Sequence, residues 1–391
     1  MLNSSDIGHR FPGVRDGWAR FDGPAGTQMV DVAIDAMSKW STNGSNANNG
    51  GLFAAANECD ALIDRTRNVI GQLFNADPAG VCLGANMTTM TMAFTRAVAK
   101  MLKPGDRVVG TRLDHDANVS PWRIACEMSG AEHVLAPFDA TTGTLEPSAV
   151  IDLINDRTKW VAITGASNLI GTTPYLPTII RAAHDAGGRV FVDAVHLAVH
   201  QRIDIATLGC DVLACSPYKW YGPHAGVLCV EPKLLNELPV AKVRPASDIG
   251  PARFETGTPN FEGIAAVEAA ARFLLDENMA SVTQSEERVF KPLLLGLLET
   301  PGVHVWGRKT MDGRTPTVSF TIDGHSPSQV AQALSDDRIA VWAGNSYAVE
   351  AVDQLGLTKS GGVVRAGVVR YINDEDVTRL LTSVRALASH R

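Results

Sequence analysis

Two polar residues stand where short apolar runs break off. Lys219 lies in Ser216-Pro217-Tyr218-Lys219-Trp220-Tyr221-Gly222-Pro223, directly after the apolar run Val212–Cys215 and shortly before another at Gly226–Val230. An ammonium flanked by aromatics between two buried strands is partly desolvated, which lowers its pKa toward a nucleophilic amine able to form a Schiff base. Taken alone, the segment also fits a snorkelling lysine at a strand end. Asp193 closes a second run, Arg189–Val192, and is followed by Ala194, Val195 and His196. Adjacent strands would deliver both groups to their carboxyl edge, where ligands of open α/β sheets bind. An aspartate there can be only a helix cap. Facing a Schiff-base lysine, it is the group that keeps a pyridine nitrogen protonated.

A phosphate would find a home at Gly84-Ala85-Asn86-Met87-Thr88-Thr89, between another apolar run and a helix. Free amides and threonine hydroxyls at a helix start bind anions, although small residues and threonine at such a place also serve as caps. No GxxxxGK[ST] and no strand-borne GxGxxG occurs, so a nucleotide is the poorer reading.

These residues need a frame. Apolar, β-branched runs at 80–83, 107–110, 133–136, 160–164, 189–192, 212–215 and 226–230 predict strands covered on both faces. Helices are predicted between them at 59–74, 88–102, 120–129, 147–155 and 177–186, so the fold class is α/β with a mostly parallel, doubly wound sheet. Helical spacing continues at 262–278 and 281–299. Strands at 315–322 and 363–371, with helices at 326–334 and 374–387, then mark a smaller α+β unit. The expected division is an N-terminal segment 1–19 packing near the small unit, a large domain 20–255, and a linker helix with small domain 256–391. Residues 41–51, rich in Gly and Asn, together with 21–26, are expected to shape the entrance to the site.

Composition excludes several classes. Across 391 residues, 45% hydrophobic and 20% charged, neither disorder nor a fibre is tenable. Thirty-five Lys and Arg against 42 Asp and Glu leave a net charge of −7, opposite in sign to the field a nucleic-acid binder needs. Six cysteines without a CxxC pair read as reduced core thiols. The start Met-Leu-Asn-Ser-Ser-Asp carries no export signal, and no run of about 18 apolar residues is present to span a bilayer, so the expected location is the cytoplasm, without a membrane partner.

In order and spacing, six segments resemble the class V aminotransferase family of pyridoxal-phosphate enzymes, and within it the cysteine desulfurase group. They are 84–89, Asp114-His115-Asp116-Ala117-Asn118 with Pro121-Trp122, Ser167-Asn168-Leu169-Ile170-Gly171-Thr172, 193–196, 216–223 and Glu255-Thr256-Gly257-Thr258-Pro259-Asn260. The resemblance implies fold type I, pyridoxal 5'-phosphate as cofactor, Lys219 as its Schiff-base lysine, Asp193 on the pyridine nitrogen and His115 stacked on the ring. It places Asn168 and His196 near the phenolic oxygen, His196 standing where desulfurases commonly carry Gln. Met87, Thr88 and Ser216 are the implied phosphate contacts, with Thr258 reaching across from a second subunit of a homodimer. Arg365 is the implied clamp on an amino-acid carboxylate. No metal site is expected.

Two positions depart from the pattern. Tyr218 replaces the His that many relatives carry before the lysine. Tyr347, in Gly344-Asn345-Ser346-Tyr347-Ala348, stands where desulfurases carry the persulfide-forming cysteine, and no cysteine follows Cys229. The expected reaction is therefore α-carbanion chemistry with β-elimination or C–S cleavage, with Tyr347 near the substrate. Transamination, or a cofactor-binding module without turnover, are the alternatives. A metal hydrolase built on His115, Asp116, His196 and His200 is a weaker reading, because no HExxH accompanies them.

Overall fold

The structure, a computed structural model, describes residues 7–389. Its strands are β1 (Ala19–Arg20), β2 (Val81–Gly84), β3 (Arg107–Thr111), β4 (Glu132–Ala136), β5 (Thr158–Thr164), β6 (Arg189–Asp193), β7 (Val212–Cys215), β8 (Gly226–Val230), β9 (Val303–Trp306), β10 (Thr317–Ile322), β11 (Ile339–Ala340), β12 (Trp342–Gly344) and β13 (Val363–Gly367). Seven of them form one sheet in the order β2-β8-β7-β6-β5-β3-β4. All neighbours run parallel except β8, which is antiparallel to both β2 and β7. The reversal has a local cause: only residues 216–225 join β7 to β8, too short a stretch for a parallel crossover.

Both faces of this sheet are covered, as its unbroken apolar strands demand. Along β5, Trp160 and Ala162 pack into one core with Phe94, Trp122 and Phe191, whereas Val161 and Ile163 pack into the other with Ile179, Ile180 and Phe261. The helices Met87–Ala99 and Ser120–Ser129 cover the first face. Leu176–Asp185 and Phe261–Asp276 cover the second. The strand order turns back at the β3–β5 junction, which opens a crevice at the carboxyl edge.

A four-stranded antiparallel sheet, β12-β13-β10-β9, lies beyond the helices Phe261–Asp276 and Met279–Leu298. β1 pairs in parallel with β11, so the chain's early residues join this smaller unit. Several short or partly exposed elements escape the sequence reading, three of them instructive. The helix Asp31–Thr42 buries only Ala33 and Trp40, β9 alternates with an exposed His304, and β12 is three residues of partly exposed chain. Each lacks the continuous apolar stripe that marks the rest. Among the described residues no helix is long and apolar enough to cross a membrane.

Candidate active site

β6 and β7 lie side by side with Asp193 opposite Ala214, which brings Asp193 and the turn Pro217–Lys219 to the same edge. Lys219 is 7% exposed, and its Nζ donates to the carbonyl of Pro24. Burial, reinforced by the nearby Arg365 cation and opposed by Asp193, lowers its pKa to about 7. Asp193 is buried and accepts the Val195 amide through Oδ1 at 2.9 Å. Its pKa is pushed up to about 6 by burial, against the pull of that amide and of Lys219.

His115 opens a short turn and accepts the Ala117 amide on Nδ1 at 3.0 Å, so that nitrogen carries no proton. Burial and the cations Lys219 and Arg365 lower its pKa to about 4, leaving a neutral ring at neutral pH. A buried network fixes the turn beneath it: Asp114 accepts from Thr111 and, at 2.8 Å, from Asn118, which in turn accepts the Trp122 indole at 3.1 Å. His196 Nε2 lies 2.9 Å from Thr317 Oγ1 and 3.2 Å from Thr315 Oγ1. Behind it the His200 ring sits 5.4 Å away, paired with buried Glu286 at 2.7 Å.

Asn168 links two regions. Its Nδ2 donates to the Ser346 carbonyl at 2.8 Å, and its own carbonyl accepts from Arg365 Nη1 at 2.8 Å. Arg365, on β13, is 3% exposed and forms no ion pair with a described carboxylate; its Nε and the Asn168 Oδ1 are buried without partners. Burial lowers its pKa to about 10, so it remains a cation at neutral pH.

At the start of the helix Met87–Ala99, the Asn86 side chain takes the Thr89 amide at 2.8 Å. That leaves the Met87 and Thr88 amides without intrahelical partners. Met87, Thr88, Ser216, Asp193, His196 and Lys219 line one small cavity of about 50 Å³. Gly226 permits the close approach of β8, since a Cβ there would lie 2.4 Å from the Asn86 carbonyl carbon. Thr88, His115, Asn168, Lys219, Tyr347 and Arg365 line an adjoining cavity of about 880 Å³.

Every residue expected to contact cofactor or substrate is therefore gathered into these two cavities except Thr258, which is exposed and lines neither; His200, named only for the metal reading, also lies outside them, paired with Glu286. The same loop is anchored by Glu255, which accepts the Leu83 amide and pairs with Arg67 at 2.6 Å. Residues 41–51 line neither cavity of their own chain. They fold onto the helix Ala54–Phe74, where Cys59 and Asp60 meet the backbone of Ser45, Ala47 and Gly50. Of the 21–26 segment, Ala25 does line the larger cavity. Tyr218 stacks on His224 at 5.1 Å, so an imidazole stands behind the tyrosine although none occupies its position. The sequence reading missed Trp342, Thr315 and Thr317, none of which carries a motif of its own, and named Ser346 only as part of the loop around Tyr347.

The donor set fits pyridoxal phosphate. Unpartnered amides at a helix start suit a phosphate, a buried amine of lowered pKa suits an aldehyde, and a buried carboxylate suits a pyridine nitrogen. A buried guanidinium without an anion suits an amino-acid carboxylate. Comparison with known proteins agrees. The family profile described as Aminotransferase class-V matches residues 20–380. An uncharacterised protein of Mycobacterium tuberculosis is 32% identical over 393 aligned positions, covering 97% of this chain and 96% of the relative. A cysteine desulfurase of Enterobacter sp. strain 638 is 28% identical, covering 94% of this chain and 93% of its own. The crystal structure of a cysteine desulfurase from Escherichia coli superposes with a TM-score of 0.88 at 26% identity over 99% of both chains. Architecture, donor set and similarity converge: the chain belongs to the class V aminotransferase family, in its cysteine desulfurase-like branch, and is a pyridoxal-phosphate-dependent enzyme of fold type I.

Proposed function

We propose that this enzyme catalyses β-elimination on an amino acid, cleaving the C–S bond of cysteine or a cysteine conjugate without passing sulfur to a thiol of its own. The observation that carries this reading is the lack of a thiol at the site. No cysteine follows Cys229, and all six cysteines are buried and unpaired, with none lining either cavity; by the resemblance, Tyr347 takes the place of the family's cysteine. Six unpaired thiols also support a reducing compartment, the cytoplasm.

Lys219 would hold the cofactor covalently, Asp193 would sit on its pyridine nitrogen, His115 would cover its ring, and Met87, Thr88 and Ser216 would hold its phosphate. When bound, pyridoxal phosphate supplies an electron sink that weakens the bonds of the substrate's α-carbon. Arg365 offers its free Nε and a second nitrogen to the substrate carboxylate as a bidentate fork. Asn168, through its contacts to Arg365 and Ser346, fixes that fork against the loop. Once the substrate's amine takes its place on the cofactor, Lys219 is a free amine whose pKa burial lowers, and its Nζ can take the α-proton. An S-substituted cysteine and one water then yield a thiol, pyruvate and ammonium. Following the resemblance, Thr258, exposed and off its own cavity, would complete a neighbour's phosphate site in a homodimer.

The test supplies cysteine and its S-conjugates and quantifies pyruvate, ammonia, sulfide or thiol, alanine and keto acid separately. Equal pyruvate and ammonia are expected. Alanine with sulfide would establish desulfuration instead, and keto acid without ammonia would establish transamination.

A further inference from the structure

The larger cavity must take most of the cofactor, since Thr88, His115, Asn168 and Lys219 line it, and it still leaves more room than cysteine requires. At about 880 Å³ it lies in the range of sites that enclose drug-sized ligands. Its outer wall is apolar and unusually exposed: Trp342 is 51%, Tyr347 71% and Val349 46% accessible. Single exposed apolar side chains are ordinary, but three around one anchored cavity form a patch.

The wall is also fixed in place. Ser346 and Tyr347 both adopt left-handed backbone, with φ of 50° and 57°, a conformation that side chains other than glycine hold only when their surroundings impose it. Here the surroundings do so. Asn345 Oδ1 accepts the Tyr347 amide at 3.0 Å, Asn168 holds the Ser346 carbonyl, and the Asp116 amide donates to the Tyr347 carbonyl at 2.7 Å. The Tyr347 ring thus stacks on His115 with centroids 5.5 Å apart and planes 22° from parallel. Gly362 allows the loop to sit this close, since a Cβ there would lie 2.3 Å from the Gly344 oxygen. Across the small sheet, Trp342 is directly opposite Arg365, so the two side chains leave the same face about 5 Å apart at Cβ. A carboxylate anchor and an aromatic wall are therefore neighbours.

Resting on the lyase reading, we infer that the substrate class is an amino acid with a large apolar β-substituent, an aryl or alkyl thioether of cysteine foremost, and that Tyr347 and Trp342 determine this specificity. An S-substituent that reaches the wall buries apolar area against both rings, which cysteine itself cannot do.

The experiment titrates the cofactor absorbance of the holoenzyme with S-benzyl-L-cysteine and with L-cysteine, and measures kcat/KM for both. S-benzyl-L-cysteine is expected to bind about 50-fold more tightly, the gain from burying one benzyl group. Trp342→Ala and Tyr347→Ala should each cut the preference by about tenfold, and Trp342→Phe should restore most of it, with retained cofactor absorbance showing that each variant is folded. Equal affinity for the two ligands, or a preference untouched by both alanine variants, would overturn the inference. The spectral titration reads binding whatever the products are. Pyruvate and ammonia without a size preference would therefore sink this inference alone, and a size preference with keto acid as product would sink only the lyase reading.

Discussion

The floor and the mouth of the site are built from different materials. On the floor, Lys219, Asp193 and His196 are each under 10% exposed and stand on or just beyond strands buried on both faces. At the mouth, Trp342 and Tyr347 are more than half exposed, and they come from a three-residue strand and a left-handed loop of the small unit. The floor is where withdrawal of water can move a proton affinity by several units. The mouth is where contact area, rather than ionisation, is under control. Chemistry and selectivity are thereby separated within one cavity, and each can be disturbed without the other.

The largest effect belongs to the floor. Lys219→Ala removes both the covalent anchor and the base, so turnover should fall by about 10⁴-fold or more and the visible absorbance of the linked cofactor should vanish. Spectra and product release measured on the same preparation decide it. Full turnover from that variant would erase the distinction between floor and mouth.

A smaller effect follows from water exclusion itself. In the cofactor-free protein, Lys219 loses its proton near pH 7 rather than 10.5. The neutral amine attacks the aldehyde, so the rate of cofactor capture should climb about tenfold per pH unit below 7 and level off above it, whereas capture by a free lysine derivative keeps climbing toward pH 10.5. Stability follows with a definite sign. The folded-state pKa is depressed, so between about pH 7 and 10.5 the unfolded chain holds a proton at this site that the native state lacks. Native stability from this group therefore rises with pH across that window. Urea midpoints of apo wild type minus those of apo Lys219→Met isolate the slope. A flat difference would mean that the floor is wet.

The same division governs what was legible in the sequence. Buried strands write themselves as unbroken apolar runs, so β5 to β8 and the residues at their ends, Asp193, Ser216 and Lys219, could be read from local pattern. Arg365 was legible through the strand that carries it and the resemblance around it. Trp342 and Ser346 were not, because an exposed three-residue strand and a left-handed turn lacking glycine at either position carry no periodic signal. Thr315 and Thr317 meet His196 across more than a hundred residues, a contact that only the packing of the small sheet creates. Residues 41–51 show the opposite limit. Their composition marks a loop but not what the loop touches.

The smallest predicted effect tests the mouth through its backbone. Ser346 at φ 50° bears the cost of left-handed backbone, about 1 to 2 kcal/mol for an L residue, and its hydroxyl is buried without a partner. Glycine removes both penalties but adds about 0.5 to 1 kcal/mol of unfolded-state entropy. Ser346→Gly should thus stabilise the protein by about 1 kcal/mol, raising Tm by about 2 °C in a chain of this size. Ser346→Ala relieves the hydroxyl but keeps the backbone cost, so its Tm should fall between the two. That order, glycine above alanine above serine, reports the conformation that holds Tyr347 against His115. Were glycine to destabilise instead, the loop would not be left-handed in solution and the aromatic wall would lose its support, while the floor's chemistry stood untouched.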